Sequence, residues 1–212
     1  MPDRPSVEVI TEALGKAPER KFSETVEISV NLKDLDLSIP KNRLEDEVPL
    51  PGGRGRAARV AVIGSVELCQ KVRGVADVVV TPSELDDFSK DSKAAKKVVS
   101  SIDFFLAEAP FMPAIGKRLG VVLGPRGKMP RPLPPGSDPT NLIRSLQRSV
   151  RIRSKGNRTF HAPVGNRSMK PEEIAVNVDA VLARIVSKLE RGRTNIESVY
   201  LKTTMGPAVR LW

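Results

Sequence analysis

Pro49-Leu-Pro-Gly-Gly-Arg-Gly55, followed shortly by Arg59-Val-Ala-Val-Ile63, is where the periodicity of this 212-residue chain changes. Upstream, Thr25-Val-Glu-Ile-Ser-Val-Asn-Leu32 alternates apolar and polar residues, as a strand does when one face packs on a core and the other stays open. Downstream come the continuous apolar runs Val60-Ala-Val-Ile63, Ala76-Asp-Val-Val-Val80 and Ile102-Asp-Phe-Phe-Leu106, each followed by a segment of helical composition. Such strands bury both faces, which predicts a parallel sheet covered by helices on each side. The proline and glycine cluster between the two patterns reads as a hinge. Alternation returns at Val150-Arg-Ile-Arg153, and Ser198-Val-Tyr-Leu-Lys-Thr203 is again extended, so the antiparallel pattern resumes after the apolar one ends.

The expected class is therefore α/β in two parts. Residues 1–56 and 154–212 form a discontinuous α+β outer domain with an antiparallel sheet and two helices, and residues 57–153 form an inserted α/β domain with a parallel sheet. The outer helices are Ser6 to Lys16, with Val7, Ile10 and Leu14 on its apolar face, and Pro171 to Arg191, with Ile174, Val178, Val181, Leu182, Ile185 and Leu189. Pro171 sits in a first turn and Gly192 just past an end, the expected asymmetry. Within the insert, Thr81 caps Pro82-Ser-Glu-Leu85, and Asp138-Pro-Thr opens a helix that ends near Val150.

Hydrophobic residues make up 40% of the chain and charged residues 28%, ordinary values for a globular protein with a real core. Aromatics are only 4%, which argues against recognition by an extensive base-stacking platform. The lone Cys69 cannot form an internal disulfide and lies in an apolar helical context, so it is expected to be a buried thiol in a reducing compartment. No apolar run approaches the roughly twenty residues that span a bilayer. Met1-Pro-Asp-Arg4 also lacks the apolar segment of a signal peptide, so the expected location is the cytoplasm, with no membrane partner.

Charge is segregated along the chain. Residues 1–50 carry −4, residues 51–116 carry +1 and residues 117–212 carry +13. Between Lys117 and Arg158 the balance is +10, equal to that of the whole protein. A merely solubilising charge need not concentrate in this way, whereas a polyanion partner such as nucleic acid explains it. In Gly116-Lys-Arg-Leu-Gly-Val-Val-Leu-Gly-Pro-Arg-Gly-Lys-Met-Pro-Arg-Pro132, cations alternate with glycines and prolines that would expose backbone N–H groups in turns.

Enzymatic motifs are poorly supported. Gly53-x-Gly55-x-x-Ala58 fits a dinucleotide fingerprint in letters only, because it precedes a strand instead of following one. Gly124-Pro-Arg-Gly127-Lys128 lacks the Walker spacing, with Val122 and Met129 at the positions that would need Gly and Ser/Thr. One histidine and one cysteine leave little for nucleophilic or metal chemistry, so neither metal nor cofactor is expected. His161 reads as a strand-end residue that bonds backbone or phosphate. Asn157-Arg-Thr and Asn166-Arg-Ser match the glycosylation pattern by chance. By contrast, Thr203-Thr-Met-Gly-Pro207 beside Lys21-Phe-Ser-Glu-Thr-Val-Glu27 would present hydroxyls, Glu27 and glycine backbone together. Such groups suit ribose 2′-OH groups and base edges in the shallow minor groove of RNA.

Four blocks in order, Lys21-Phe-Ser-Glu-Thr-Val-Glu27, Leu119-Gly-Val-Val-Leu-Gly-Pro-Arg-Gly-Lys-Met-Pro130, Phe160-His-Ala-Pro-Val-Gly165 and Thr203-Thr-Met-Gly-Pro207, together resemble the ribosomal protein L-one family of the large subunit. The insertion Arg131-Pro-Leu-Pro-Pro-Gly-Ser-Asp-Pro139 is similar to the archaeal type. The resemblance implies a Rossmann-like, three-layer inserted domain and a non-catalytic protein, monomeric when free of the ribosome. It implies binding to a large-subunit rRNA helix that forms a mobile stalk near the tRNA exit site, a part in release of deacylated tRNA, and repression of translation through the protein's own mRNA. Carried onto matching positions, the RNA-contacting set is Phe22, Thr25, Glu27, Ser198, Thr204, Met205 and Gly206, with Lys21 and His161 as secondary members. Position 23 is Ser where many relatives carry an acid, and no role is carried to it. A second, looser contact falls to Lys117, Arg118, Arg126, Lys128 and Arg131. Two other classes stay open at this point: a nucleotide-binding enzyme that uses the inserted domain, and a general basic DNA-binding module.

Overall fold

A computed structural model describes residues 6–85 and 92–212. The elements run α1 (Ser6–Lys16), β1 (Thr25–Leu32), β2 (Glu45–Pro49), β3 (Val60–Ile63), α2 (Val66–Lys71), β4 (Val78–Val80), α3 (Ser92–Ser101), β5 (Phe104–Glu108), α4 (Met112–Leu123), β6 (Arg131–Leu133), α5 (Thr140–Gln147), β7 (Ser149–Arg153), β8 (Thr159–Asn166), α6 (Pro171–Lys188), β9 (Ile196–Thr203) and β10 (Val209–Arg210). Two compact units result, one taking the described residues up to Ala57 together with Arg148–Trp212, the other Ala58–Gln147.

In the first unit the sheet order is β10-β9-β1-β8, antiparallel throughout. Alternation along β1 sends Val26, Ile28, Val30 and Leu32 into one core with Ile174, Val178, Val181 and Ile185 of α6 and Val9, Ile10 and Ala13 of α1. Each such large side chain, fully removed from water, contributes about 1.5–3 kcal/mol before the opposing loss of conformational entropy. The apolar stripe of α1 differs from the expected one. Val7 is 37% exposed, while Val9, Ile10, Ala13 and Ala17 are buried. Val9 and Ala13 complete the stripe with Ile10 at helical spacing, Ala17 follows just past the helix end, and Val7 and Leu14 lie on the border.

β2 and β7 form a separate two-stranded antiparallel ladder. Its register places Glu45 opposite Arg153 and Glu47 opposite Arg151, and both pairs close as ion pairs, at 3.6 and 2.8 Å. The pairing carries β7 into the first unit, so the division falls after Gln147, six residues before the boundary drawn from periodicity. The acids and Pro49 hide β2 as a strand in the sequence, because only Val48, set opposite Val150 in the core, supplies an apolar signal within it. Buried Asn177 clamps the segment leading from β2 into the connection. Its Nδ2 donates to Gly53 O and Val164 O, and its Oδ1 accepts from Gly52 N.

The second unit holds a parallel sheet of order β4-β3-β5-β6. Successive residues of the apolar runs serve opposite faces: Ala61, Ile63, Phe105 and Ala107 pack with Val99, Ile115 and Leu119, whereas Val60, Val62, Phe104 and Leu106 pack with Leu68, Ile143 and Leu146. That accounts for runs with no polar alternation. Cys69 is buried in α2, where burial first, helped by the Glu84 and Glu108 charges, pushes its thiol up. The Glu84 carboxylate reaches back as in one half of a capping box, accepting from Thr81 N at 2.8 Å and from Thr81 Oγ1 at 2.9 Å. β6 lies inside the stretch read above as an insertion; it occupies the sheet edge, where Pro132 costs no ladder bond.

Much of the glycine-punctuated basic run is not a series of turns. Its first half belongs to α4, whose backbone N–H groups are largely consumed within the helix, and the chain turns only at residues 124–127. Gly116 and Gly120 face open space, so helix formation meets no steric objection there.

Candidate nucleic-acid interface

The face of the four-stranded sheet opposite the core is polar and almost neutral. Cross-strand register sets Pro163, Glu27 and Lys202 in one row, His161, Ser29, Tyr200 and Arg210 in the next, and Thr159, Asn31 and Ser198 in a third. The rows are tied internally. Lys202 Nζ lies 3.7 Å from Glu27 Oε1, Thr159 Oγ1 donates to Asn31 Oδ1 at 2.8 Å, and Asn31 Nδ2 donates to Ser198 Oγ at 2.8 Å. Ser198 thereby accepts from Asn31 and is itself only 8% exposed. His161 is the third of the eight residues of β8, close to the strand end expected for it, and is exposed.

The end of this face is a junction of distant segments. After β9 the chain turns at Thr204-Met205-Gly206, and Thr204 N and Oγ1 both donate to Thr25 O, at 3.0 and 3.2 Å. Gly206 N closes the turn on Thr203 O at 3.1 Å. A Cβ at position 206 would lie 2.3 Å from Thr203 Oγ1 and 3.1 Å from Ala17 Cβ, so only glycine fits. Beside the turn, the segment before β1 carries Lys21 and Phe22 into solvent, and Ser23 Oγ donates to Asn166 Oδ1. Phe22 is 57% and Met205 58% exposed. Two large apolar side chains open to solvent at one edge of a hydroxyl-bearing sheet suit a partner that supplies both apolar and polar surface.

Beneath the junction lies Glu24, which is absent from the expected set. Its side chain is wholly buried and paired with Arg167 at 3.1 Å. Its neighbours Ser23 and Thr25 are both exposed, bonded to Asn166 and to the Thr204 turn, so nothing local in the sequence marks position 24 as buried. Ser29, Asn31, Tyr200 and Lys202 are also outside that set. Period-two spacing from Thr25 and Glu27 reaches Ser29 and Asn31, and the same spacing from Ser198 reaches Tyr200 and Lys202.

The five cations expected to give a second contact all lie in the second unit. Lys117 and Arg118 are exposed on α4, and Arg131 is exposed on edge strand β6. Arg126 Nη1 turns back to Val122 O at 3.1 Å, at the end of α4. Lys128 instead braces the fold. Its ammonium donates to Val99 O at 2.9 Å, to Ser100 O at 3.3 Å and to Ile102 O, carbonyls at and just past the C-terminus of α3. A cation there also faces the negative end of the helix dipole.

At the C-terminal ends of β3 and β5, where parallel α/β sheets take nucleotides, the chain's own carboxylate is in place. Buried Glu108 accepts from Ser65 N at 2.8 Å and Ser65 Oγ at 3.1 Å. A Cβ on Gly64 would lie 3.2 Å from the Glu108 carboxyl carbon. The backbone donor that a phosphate would need is thus already engaged, which weighs against the nucleotide-binding alternative.

Comparison with known proteins gives the family. A family model described as the ribosomal protein L1p/L10e family matches residues 14–207. Among similar proteins, the large ribosomal subunit protein uL1 of Thermoplasma acidophilum is 54% identical over 95% of this chain and 93% of its own length. The uL1 of Methanocella arvoryzae is 48% identical over the full length of both chains, and that of Haloferax volcanii 45% identical over 97% of each. The four sequence blocks, the discontinuous first unit and near-complete alignment to these homologues agree: the chain belongs to the ribosomal protein L1p/L10e family.

Proposed function

We propose that the chain is a non-catalytic constituent of the large ribosomal subunit that binds large-subunit rRNA through Phe22, Thr25, Glu27, Ser198 and the Thr204-Met205-Gly206 turn, with Lys21 and His161 at the margin. The observation that carries this reading is the junction itself, where two exposed apolar side chains flank a neutral, hydroxyl-bearing sheet face. Hydroxyls and a closely approachable glycine backbone suit the 2′-OH groups of an RNA minor groove. Lys117, Arg118, Arg126 and Arg131 in the second unit supply attraction that does not depend on sequence, while the small hydrogen-bonding set discriminates. Lys128 contributes by holding the fold of that unit.

On this reading the rRNA and the protein form the mobile stalk beside the tRNA exit site and take part in releasing deacylated tRNA. The same face, offered a similar fold in the protein's own mRNA, represses its translation.

The test is Thr204→Val. Thr25 O keeps its bond from Thr204 N, so the fold stands while the hydroxyl that faces RNA is lost. Affinity for purified archaeal large-subunit rRNA should fall by about 1–3 kcal/mol if that contact is buried, with binding to small-subunit rRNA unaffected. Equal affinities of variant and wild type for the large-subunit RNA would refute the assigned face.

A further inference from the structure

We propose that Glu24 is a positioning residue for RNA recognition: its buried carboxylate sets the Thr204-Met205-Gly206 turn against the start of β1, and Arg167 holds the carboxylate in place. The proposal rests on the interface reading above and adds to it the group that gives the interface its shape.

A buried carboxylate is tolerated when every oxygen finds a donor. Glu24 Oε2 accepts from Arg167 Nη1 at 3.1 Å, and Oε1 accepts from Met205 N at 3.1 Å, with Arg20 Nε at 3.9 Å. Arg167 is itself anchored: Nη1 donates to Pro18 O at 2.7 Å, Nη2 to Ala17 O at 3.1 Å, and its backbone N to Glu24 O at 2.9 Å. One ion pair therefore ties together the segment after α1, the segment after β8 and the turn after β9. It commits one carboxylate oxygen to the backbone of Met205, whose side chain stands open to solvent at the junction. The groups bonded to the carboxylate are all donors, so a glutamine amide would set its own NH2 against either Arg167 or Met205 N and release one side of the clamp.

The experiment is a double-mutant cycle of Glu24→Gln with Thr204→Val, read by binding to purified archaeal large-subunit rRNA at several salt concentrations and by amide exchange. The expected result for Glu24→Gln alone is about a tenfold loss of affinity, the size of one lost hydrogen bond to a charged group. The salt slope should stay unchanged, and exchange should be faster at Met205 and Gly206 but not at Val199 to Leu201. The double variant should lose less than the product of the two single effects, because both act through one turn. A purely structural ion pair predicts wild-type affinity for the folded variant, and that result, or a strictly multiplicative double variant, would overturn the proposal. If Thr204→Val itself binds as wild type, the interface reading fails and takes this one with it. If Thr204→Val weakens binding and Glu24→Gln does not, only the role of Glu24 falls. Should Glu24→Gln fail to fold, Arg167→Lys keeps the charge but cannot reach Ala17 O and Pro18 O together. Its folded form should show the same loss of affinity and the same local exchange, and wild-type behaviour would contradict the proposal.

Discussion

Lys128 sits in the most basic stretch of the chain, yet its ammonium is engaged by the C-terminal carbonyls of α3 and by Ile102 O. Replacing it with Met keeps the aliphatic stem and removes the donors. The loss combines one charge-assisted hydrogen-bonding group with a favourable dipole interaction. Partial exposure lets water take over some of the acceptors, so about 2 kcal/mol of the second unit's stability should go. For a unit of this size that corresponds to a fall in melting temperature on the order of 10 °C. The assay is thermal unfolding together with amide exchange in β3 and β5, with Lys117→Met as the control. The control side chain is exposed on α4, so it should leave the melting temperature in place while lowering affinity for every RNA and reducing the salt slope by about one. An unchanged melting temperature for Lys128→Met, with a loss of RNA affinity like that of the control, would refute the assignment of Lys128 to the fold.

Two further outcomes follow from packing and charge. Burial alone would raise the Asp46 pKa, but the Arg184 hydrogen bond, the Glu47 N–H and the nearby Lys188 more than offset it, so it lies below the usual carboxylate value. A group depressed in the folded state adds stability above its unfolded pKa and loses it as pH falls through the lower folded value. Asp46→Asn should therefore cost less than about 1 kcal/mol near neutral pH, after solvent screening, and the difference in urea midpoint from wild type should vanish in strong acid. Gly52→Ala should be destabilising even without a positive backbone φ. The added Cβ would lie 2.5 Å from Glu173 O, a helix backbone atom that cannot rotate away. A loss of about 1–3 kcal/mol in urea unfolding is expected, and an unchanged midpoint would show that α6 yields.

The two sheet types were legible because strands state their burial in their periodicity. β1 alternates and β3 does not, and the sheets that contain them are antiparallel and parallel respectively. β2 and β6 were not legible, because cross-strand ion pairs and an edge position replaced the apolar signal in Glu45–Pro49 and Arg131–Leu133. Glycines between Gly116 and Gly124 suggested turns, but a helix whose glycines face open space bears only their modest propensity cost. Of the residues proposed for the interface from short sequence blocks, Thr25 and Thr204 are joined through Thr25 O, and Phe22 and Met205 are both open to solvent. Glu24 could not be singled out, since burial of an acid by Arg167, which is 143 residues away along the chain, is a property of the fold alone. Lys128 is the converse case: its charge was visible in the sequence, but the carbonyls that engage it were not.

The central claim is that RNA docks on the open face and end junction of the β10-β9-β1-β8 sheet, with the second unit as an auxiliary. Ultraviolet crosslinking of the protein to archaeal large-subunit rRNA, followed by mass-spectrometric mapping of the modified peptides, reads this directly. The account predicts adducts on the peptides that carry Phe22 and Met205. Adducts confined to residues 58–147, with none in those two peptides, would contradict it.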